Sequence, residues 1–397
     1  MKKTIIILCI MTLIGCSSGR KNTIDTGGYR TSKEMNLELF TDPVYQQVAV
    51  SEKGIYYSIA NYLYFYDFET AQHVHLCNKP NCKHSEETDQ LLGQECNAYN
   101  ENASFGGILN PAPIVYHDGY LYMTQSVLDF QTGRTAGNDI VRINEDGSNR
   151  TSIIHSDEEF HLFFLHKDYL YFITSNILYR YAINENSEPE PLFENQLSSI
   201  GFQAFCVGDS LYLSVGVYKD KETSKEHYGA FLEVDLNSLE IEVVKEDEAD
   251  LYFTYINEDL FAYTHNNDTY LFNRETREEK LLCDEAGQVH VTEKYIFVYN
   301  GPTKYMYSDG ERTLTVFDKE FNKIDSIVLE EGIKHWDSGA FSNQLFVFYN
   351  NPEDYFSLER LYVIQVIDEK LKVQLFSEKY PSKNNIAGYQ WNVNDYK

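Results

Sequence analysis

The stretch Ile114-Val115-Tyr116-His117-Asp118-Gly119-Tyr120-Leu121-Tyr122 decides the architecture. Two short runs rich in β-branched and aromatic residues flank an Asp-Gly pair, a strong short-range hairpin signal. The second run sets an aliphatic residue between aromatics, and that phrase returns along the chain. It stands at Lys53-Gly54-Ile55-Tyr56-Tyr57, Asp168-Tyr169-Leu170-Tyr171-Phe172 and Asp209-Ser210-Leu211-Tyr212-Leu213. It stands again at Asp259-Leu260-Phe261, Lys294-Tyr295-Ile296-Phe297 and Gln344-Leu345-Phe346-Val347-Phe348. Aligned on the aliphatic residue, the units sit at Ile55, Leu121, Leu170, Leu211, Leu260, Ile296 and Leu345, with spacings of 66, 49, 41, 49, 36 and 49.

Each phrase has the same surroundings. A short apolar run precedes it, as in His161-Leu162-Phe163-Phe164-Leu165. A strand-like run follows, as in Ile177-Leu178-Tyr179-Arg180-Tyr181, and another closes the unit, as in Leu239-Glu240-Ile241-Glu242-Val243-Val244. Segments of this composition, separated by Gly, Asn, Asp and Ser, read as antiparallel strands. Four strands in about 50 residues is the size of one propeller blade. One such sheet cannot cover both of its faces, whereas radial stacking buries them. The expectation is an all-β chain, a β-propeller of seven four-stranded blades with six and eight left open. The first unit is atypical, and the last is expected to be completed by a strand from the N-terminal side. No stretch keeps a 3.6-residue period over four turns, which argues against long helices.

The run Asp139-Ile140-Val141-Arg142-Ile143-Asn144-Glu145-Asp146-Gly147-Ser148-Asn149 alternates and then ends in an Asp-Gly turn. Its form, aliphatic-x-Arg-Ile-Asn-x-Asp-Gly-Ser, resembles the blades of six-bladed YWTD-type and TolB-like propellers. It is similar also to a large group of propeller lipoproteins from low-GC Gram-positive bacteria. The resemblance runs from about Tyr45 to the C-terminus; the Tyr-Trp-Thr-Asp signature itself is absent.

The N-terminus carries a different signal. Lys2 and Lys3 precede the apolar run from Thr4 to Ile14, too short to span a bilayer and the right length for a signal-peptide core. Leu13-Ile14-Gly15-Cys16 resembles the bacterial lipobox, which implies a diacylglycerol on Cys16 and cleavage before it. Two acyl chains make a stable anchor, at about 0.8 kcal/mol per buried CH₂. Residues 1–15 therefore read as a lipoprotein signal peptide and 16–36 as a flexible tether with lipidated Cys16. Residues 37–397 read as the propeller, and the expected location is the extracytoplasmic face of a cell membrane. Twenty polar tether residues reach roughly 25 Å by coil statistics.

The chain holds 61 acidic and 33 basic residues, a net charge of −28, and loss of Lys2 and Lys3 takes it to −30 (−28 minus 2). Such a surface repels nucleic acid, and no nucleic-acid partner is expected.

The spacing of 66 between the first two units has a cause. An insertion after the first blade's strands, residues 77–99, reads Cys77-Asn78-Lys79-Pro80-Asn81-Cys82-Lys83-His84 and continues to Cys96-Asn97-Ala98-Tyr99. Cys77, Cys82, His84 and Cys96 are a candidate metal set, in the order C-x4-C-x-H-x11-C. Three thiolates and an imidazole suit a closed tetrahedral structural zinc site. Two of the cysteines in a disulfide suit an oxidising compartment, and plain reduced thiols are the third reading. The propeller lipoprotein group carries a similar Leu-Cys-x-x-Pro-x-Cys-x-His stretch ending in a Cys, which implies a metal. A shell of three Cys and one His leaves no open position for water, so the expected role is stapling a loop and not catalysis. Cys206 and Cys283 lie in strand-like runs and read as buried, inert thiols.

No motif for a reaction emerges. A Gly-x-Ser-x-Gly elbow, a His-Glu-x-x-His pair, a phosphate loop and a dinucleotide glycine pattern are all missing from the sequence. Ser308-Asp309-Gly310 resembles the sialidase Asp-box only faintly and reads as a hairpin turn. His117, His155, His161 and His166 sit beside strands in solvated or core roles. Aromatics form 15% of the chain; most suit packing between blades, and some suit sugar stacking in a central funnel. The leading expectation is a membrane-anchored scaffold that binds a protein or glycan ligand on one propeller face. The alternatives are a surface carbohydrate-active enzyme and an accessory subunit of an envelope complex.

Overall fold

The computed structural model describes residues 37–391 apart from loop stretches, the longest being 41–47, 85–95, 100–113, 195–202, 219–226, 301–311 and 382–388. The leader, Cys16, the tether, His161 and Ser308-Asp309-Gly310 lie outside the described residues. Among the described residues the regular elements are all strands. They form seven antiparallel sheets, spanning 48–75, 114–156, 162–194, 203–247, 252–283, 287–328 and 333–381. Each is built from four consecutive strands, paired in chain order; the fourth and seventh sheets carry one strand more. The chain is an all-β propeller with four-stranded blades.

Alternation along the strands explains how the sheets stack, because neighbouring residues of a strand point to opposite faces. In the third sheet, Leu170 and Phe172 share a core with Val115, Tyr122 and Ile140 of the second. Tyr171 and Ile173 turn the other way and pack with Cys206, Leu211 and Leu213 of the fourth. The fourth presents Tyr212 and Phe231 to Phe253, Phe261 and Tyr263 of the fifth. Ala262 of the fifth meets Ile296 and Val298 of the sixth, whose Phe297 and Tyr299 meet Leu345 and Val347 of the seventh. Leu361, Val363 and Phe376 of the seventh join Tyr57 and Leu63 of the first, in a core that also takes Leu121 and Met123 of the second. The cores thus run from sheet to sheet and return to the start. Aromatic stacking thickens them: Phe231 and Phe253 lie 3.9 Å apart at 8°.

The repeated phrase is the second strand of each sheet. Ile55, Leu121, Leu170, Leu211, Ile296 and Leu345 are all fully buried. They oppose Tyr66, Ile143, Tyr181, Val234, Phe317 and Ile364 of the third strands. The fifth unit needs a correction. Leu260 opposes Asn273, at the position held by Tyr295 and Asp318 in the sixth sheet, and the equivalent buried residue is Phe261, opposite Phe272. Unit five has an aromatic where the others have an aliphatic, so alignment on the aliphatic slips by one residue.

The expected closure is also corrected. Leu37–Phe40 does not complete the seventh sheet; it pairs antiparallel with Gln203–Val207 as the extra strand of the fourth. The seventh sheet takes its strands from 333–381 and adds Tyr389–Trp391 at its other edge. Among the described residues the last and first sheets therefore meet through side chains and not through a shared strand. The edge of Gln203–Val207 supplies the backbone groups that pair with Leu37–Phe40.

Turns repeat as well. The Asp or Asn ending the third strand accepts hydrogen bonds from backbone N–H groups two or three residues on: Asp67 from Glu69 and Thr70, Asp235 from Asn237 and Ser238, Asn273 from Glu275 and Thr276. These are Asx turns, and the signal Asp/Asn-x-x-Ser/Thr is visible in the sequence. The next N–H reaches across to the second strand's entry, with Phe68, Leu236 and Arg274 donating to the carbonyls of Lys53, Asp209 and Asp259.

Ion pairs cross the sheet junctions. Arg274 donates two hydrogen bonds, of 2.6 and 2.7 Å, to the Glu233 carboxylate, Lys245 holds Glu279 at 2.5 Å, and Lys370 holds Asp325 at 3.1 Å. Lys167 on the third sheet pairs with Asp209 on the fourth, and this hydrogen bond holds the Asp209 carboxyl down to about 2. A depressed carboxylate stabilises the fold above its ordinary pKa, and the contribution disappears as pH falls through about 2. Asp209 is 40% exposed, so the effect is modest. Replacing Asp209 by Asn is expected to lower stability by a modest amount at pH 7, a loss that shrinks below pH 4 and vanishes as pH approaches about 2, as read by urea denaturation across pH.

Candidate metal centre

The first sheet's last strand, Gln72–His75, delivers the chain into the cysteine insertion. Leu63 in the adjacent strand holds both ends of it. Its carbonyl accepts the Leu76 N–H at 3.0 Å, and its N–H donates to the Ala98 carbonyl at 2.8 Å. Tyr62 bridges to Tyr99 beside them. Cys77 and Cys96 are thus brought together from 19 residues apart by one strand.

Cys82 and His84 are aimed by local backbone chemistry. Cys82 donates its N–H to the Lys79 carbonyl at 3.4 Å across Pro80 and Asn81. Pro pre-sets the first turn angle, and Asn81 takes the left-handed conformation (φ 66°), the pattern of a type II turn. His84 is left-handed too, at φ 50°.

The Sγ atoms of Cys77, Cys82 and Cys96 and one ring nitrogen of His84 all lie within 4.8 Å of one another. All four residues named from the sequence meet. Among the described residues they form the one group of metal-ligand type. Zinc with bonds of about 2.3 Å to sulfur sets its ligand atoms about 3.8 Å apart, so a small contraction closes the tetrahedron. Cys96 is 2% exposed, and the other three are half-buried. None of the three cysteines is in a disulfide, so the sulfurs meet without the covalent link considered as a second reading.

The electrostatics favour a cation. A hydrogen bond from Cys96 lowers the Cys77 pKa, and the same contact raises that of Cys96. The three sulfurs cannot each hold a charge at this distance without a cation between them. Nε2 of His84 is buried with no hydrogen-bond partner. The His84 ring stacks on His75 at 4.1 Å and 4°. His75 is itself held by the Tyr64 hydroxyl at 3.0 Å and is kept neutral by burial, which pushes it down to about 3. It orients the His84 ring without adding charge.

Three further residues attach the centre to the second sheet. Gly147, in the turn after Arg134–Asn144, lies against the Leu76-Cys77 peptide: a Cβ there would fall 2.6 Å from the Leu76 carbonyl. Asn97 donates to the Gly147 carbonyl at 2.6 Å. Arg150 donates to the carbonyls of Asn97 and Tyr99, on the residues following Cys96, and to Gln125 of the second sheet. Burial lowers the Arg150 pKa to about 10, which leaves it charged at neutral pH. The Asp146-Gly147 pair was legible as a turn, but its docking on the insertion has no sequence signal. Gly147 also has a φ of 78°. Gly147→Ala is expected to cost about 2 kcal/mol or more, from left-handed strain and overlap with backbone together. Thermal unfolding checks this, and an Asp146→Ala control leaves the docking contact in place.

The other candidates resolve simply. Cys206 is buried in the core between the third and fourth sheets. Cys283 is half-buried at the end of Glu279–Cys283, a correction to its expected burial, because an outermost strand is covered on one face only. His166 is buried beside Asp209, 3.4 Å away. Half-exposed His155 pairs with Asp139 at 2.7 Å, and His117 lies 3.6 Å from Asp118.

No protein-family model matches the chain, and no curated protein matches it. Solved structures do. Oligogalacturonate lyase from Vibrio parahaemolyticus is 10% identical, with a TM-score of 0.43 over 64% of this chain and 74% of that one. TolB from Acinetobacter baumannii is 11% identical, with a TM-score of 0.39 over 83% and 76%. The β-propeller domain of the Trilobed protease from Pyrococcus furiosus is 15% identical, with a TM-score of 0.42 over 66% and 84%. The structural neighbours of this chain thus include TolB-like β-propellers.

Proposed function

We propose that the protein is a lipid-anchored, extracytoplasmic β-propeller of seven blades, one per sheet, that works as a scaffold for a protein or glycan partner. In this reading a structural zinc ion, held by Cys77, Cys82, His84 and Cys96, staples the first blade to the second. The four-donor group carries the proposal. Four protein ligands complete a tetrahedron and leave no position for a reacting water, so the metal serves structure and not catalysis. The ion would neutralise crowded thiolates and fix the insertion against Gly147 and Arg150. Binding would then fall to the loops and inner strand edges that a closed ring leaves available.

The anchor rests on the leader: a basic start, a short apolar run and Gly15-Cys16. The likeness to propeller lipoproteins of low-GC Gram-positive bacteria points the same way. The test uses the full chain expressed with its leader in a Gram-positive host fed labelled palmitate. The expected outcome is label in the membrane fraction, lost in Cys16→Ala, with one zinc per chain by elemental analysis. Unlabelled, secreted protein sinks the anchor; metal-free protein sinks the staple.

A further inference from the structure

We infer that Cys77 and Cys82 form a peroxide-sensitive latch: oxidation joins them in a disulfide and frees the bound cation. The inference rests on the metal reading above. Three sulfurs within 4.8 Å of one another can either share a cation or bond in pairs. Exposure selects the pair. Cys77 and Cys82 are half-buried, within reach of a small oxidant, whereas Cys96 sits in the core of the first sheet at 2% exposure. Only Asn78, Lys79, Pro80 and Asn81 separate the two, in a turn closed by one long hydrogen bond of 3.4 Å, so the sulfurs can approach without moving a strand.

The chemistry balances with hydrogen peroxide as oxidant. The Cys77 thiolate attacks one peroxide oxygen, the O–O bond breaks, and hydroxide leaves with the bonding pair, giving a sulfenic acid. The Cys82 thiolate attacks that sulfur, the S–S bond forms, and a second hydroxide leaves. Two protons from solvent turn both hydroxides into water. Two thiolates lose two electrons, and peroxide gains them. Cys96 and His84 remain as two ligands of four, too few to hold a divalent ion tightly.

The contacts around the pair carry the change outward. The Leu76-Cys77 peptide rests on Gly147, and Asn97, next to Cys96, donates to the Gly147 carbonyl. Oxidation therefore loosens the insertion from the second sheet, and the Leu63 N–H, which donates to Ala98, exchanges faster.

The experiment adds hydrogen peroxide, up to ten equivalents, to the zinc-loaded full chain in detergent. Zinc release is followed with a chelating dye, disulfides are mapped by mass spectrometry, and Leu63 exchange is measured. The expected result is one zinc released per Cys77–Cys82 disulfide formed, faster exchange at Leu63, and recovery of both on adding dithiothreitol and zinc. A Cys283→Ser variant is expected to behave identically. Zinc retained under peroxide overturns the latch alone, as does release with sulfinic acids or with Cys96 in the disulfide. Untreated protein without zinc overturns the metal reading, and the latch with it.

Discussion

Protein stripped of zinc by a chelator is expected to unfold well below the zinc-loaded form. With free zinc a thousandfold above Kd, the native state gains about 4 kcal/mol by mass action. For a chain of this size that is a melting shift of roughly 5 °C. The effect is large because the ion joins Cys82 and His84, set on a turn closed by one long hydrogen bond, to Cys77 and Cys96 at the pinned ends of the insertion. The path from Cys77 to Cys96 is polar, and its return, Cys96, Ala98 and Tyr99, is buried in the first sheet's core. Without a cation, three sulfurs within 4.8 Å must keep protons or repel. Cys96→Ser is expected to reproduce the chelator's effect in zinc-containing buffer. A calorimetric scan with and without zinc measures both, and equal melting temperatures for all samples would remove the staple from the account.

Phe376→Ala is expected to cost about 3–5 kcal/mol, the range for a buried aromatic deleted from a core. Phe376 is 3% exposed and belongs to the seventh sheet, yet its ring meets Tyr57 at 5.7 Å and Tyr66 and His73 at 5.0 Å on the first. Among the described residues no shared strand holds this junction, since Leu37–Phe40 pairs with the fourth sheet. Its cohesion is side-chain packing. Hydrogen exchange is expected to accelerate first in Gly54–Ile59 and Lys370–Pro381, flanking the junction, before the ring unfolds as a whole. Phe297→Ala, between the sixth and seventh sheets, is the comparison: it removes a comparable ring without touching the closing junction. Uniform acceleration across all seven sheets in Phe376→Ala would show that closure is no weaker than any other junction.

Much of this was legible in the residues. The phrase Asp168-Tyr169-Leu170-Tyr171-Phe172 read as a strand of the repeat, and the structure divides its buried residues between two neighbouring sheets. The cysteine insertion announced all four candidate ligands. The slip at Leu260 shows the limit of reading a repeat by residue type: Phe261 fills the buried place, and only the pairing with Phe272 reveals it. Arg150, Asn97 and His75 escaped notice because nothing in their local spacing marks them. Arg150 acts from the second sheet and His75 from the strand before the insertion, while Asn97, beside Cys96, reaches across to Gly147.

The sequence alone determined the strands, their turns and the residues able to ligate a metal, because alternation, Asx turns and side-chain chemistry are local properties carried by neighbouring residues. The tertiary structure decided the partners: where Leu37–Phe40 pairs, how the last sheet meets the first, and which carbonyls Arg150 and Gly147 touch. Those choices turn on backbone edges and surfaces hundreds of residues apart in some cases, and such contacts form only when the whole ring is assembled.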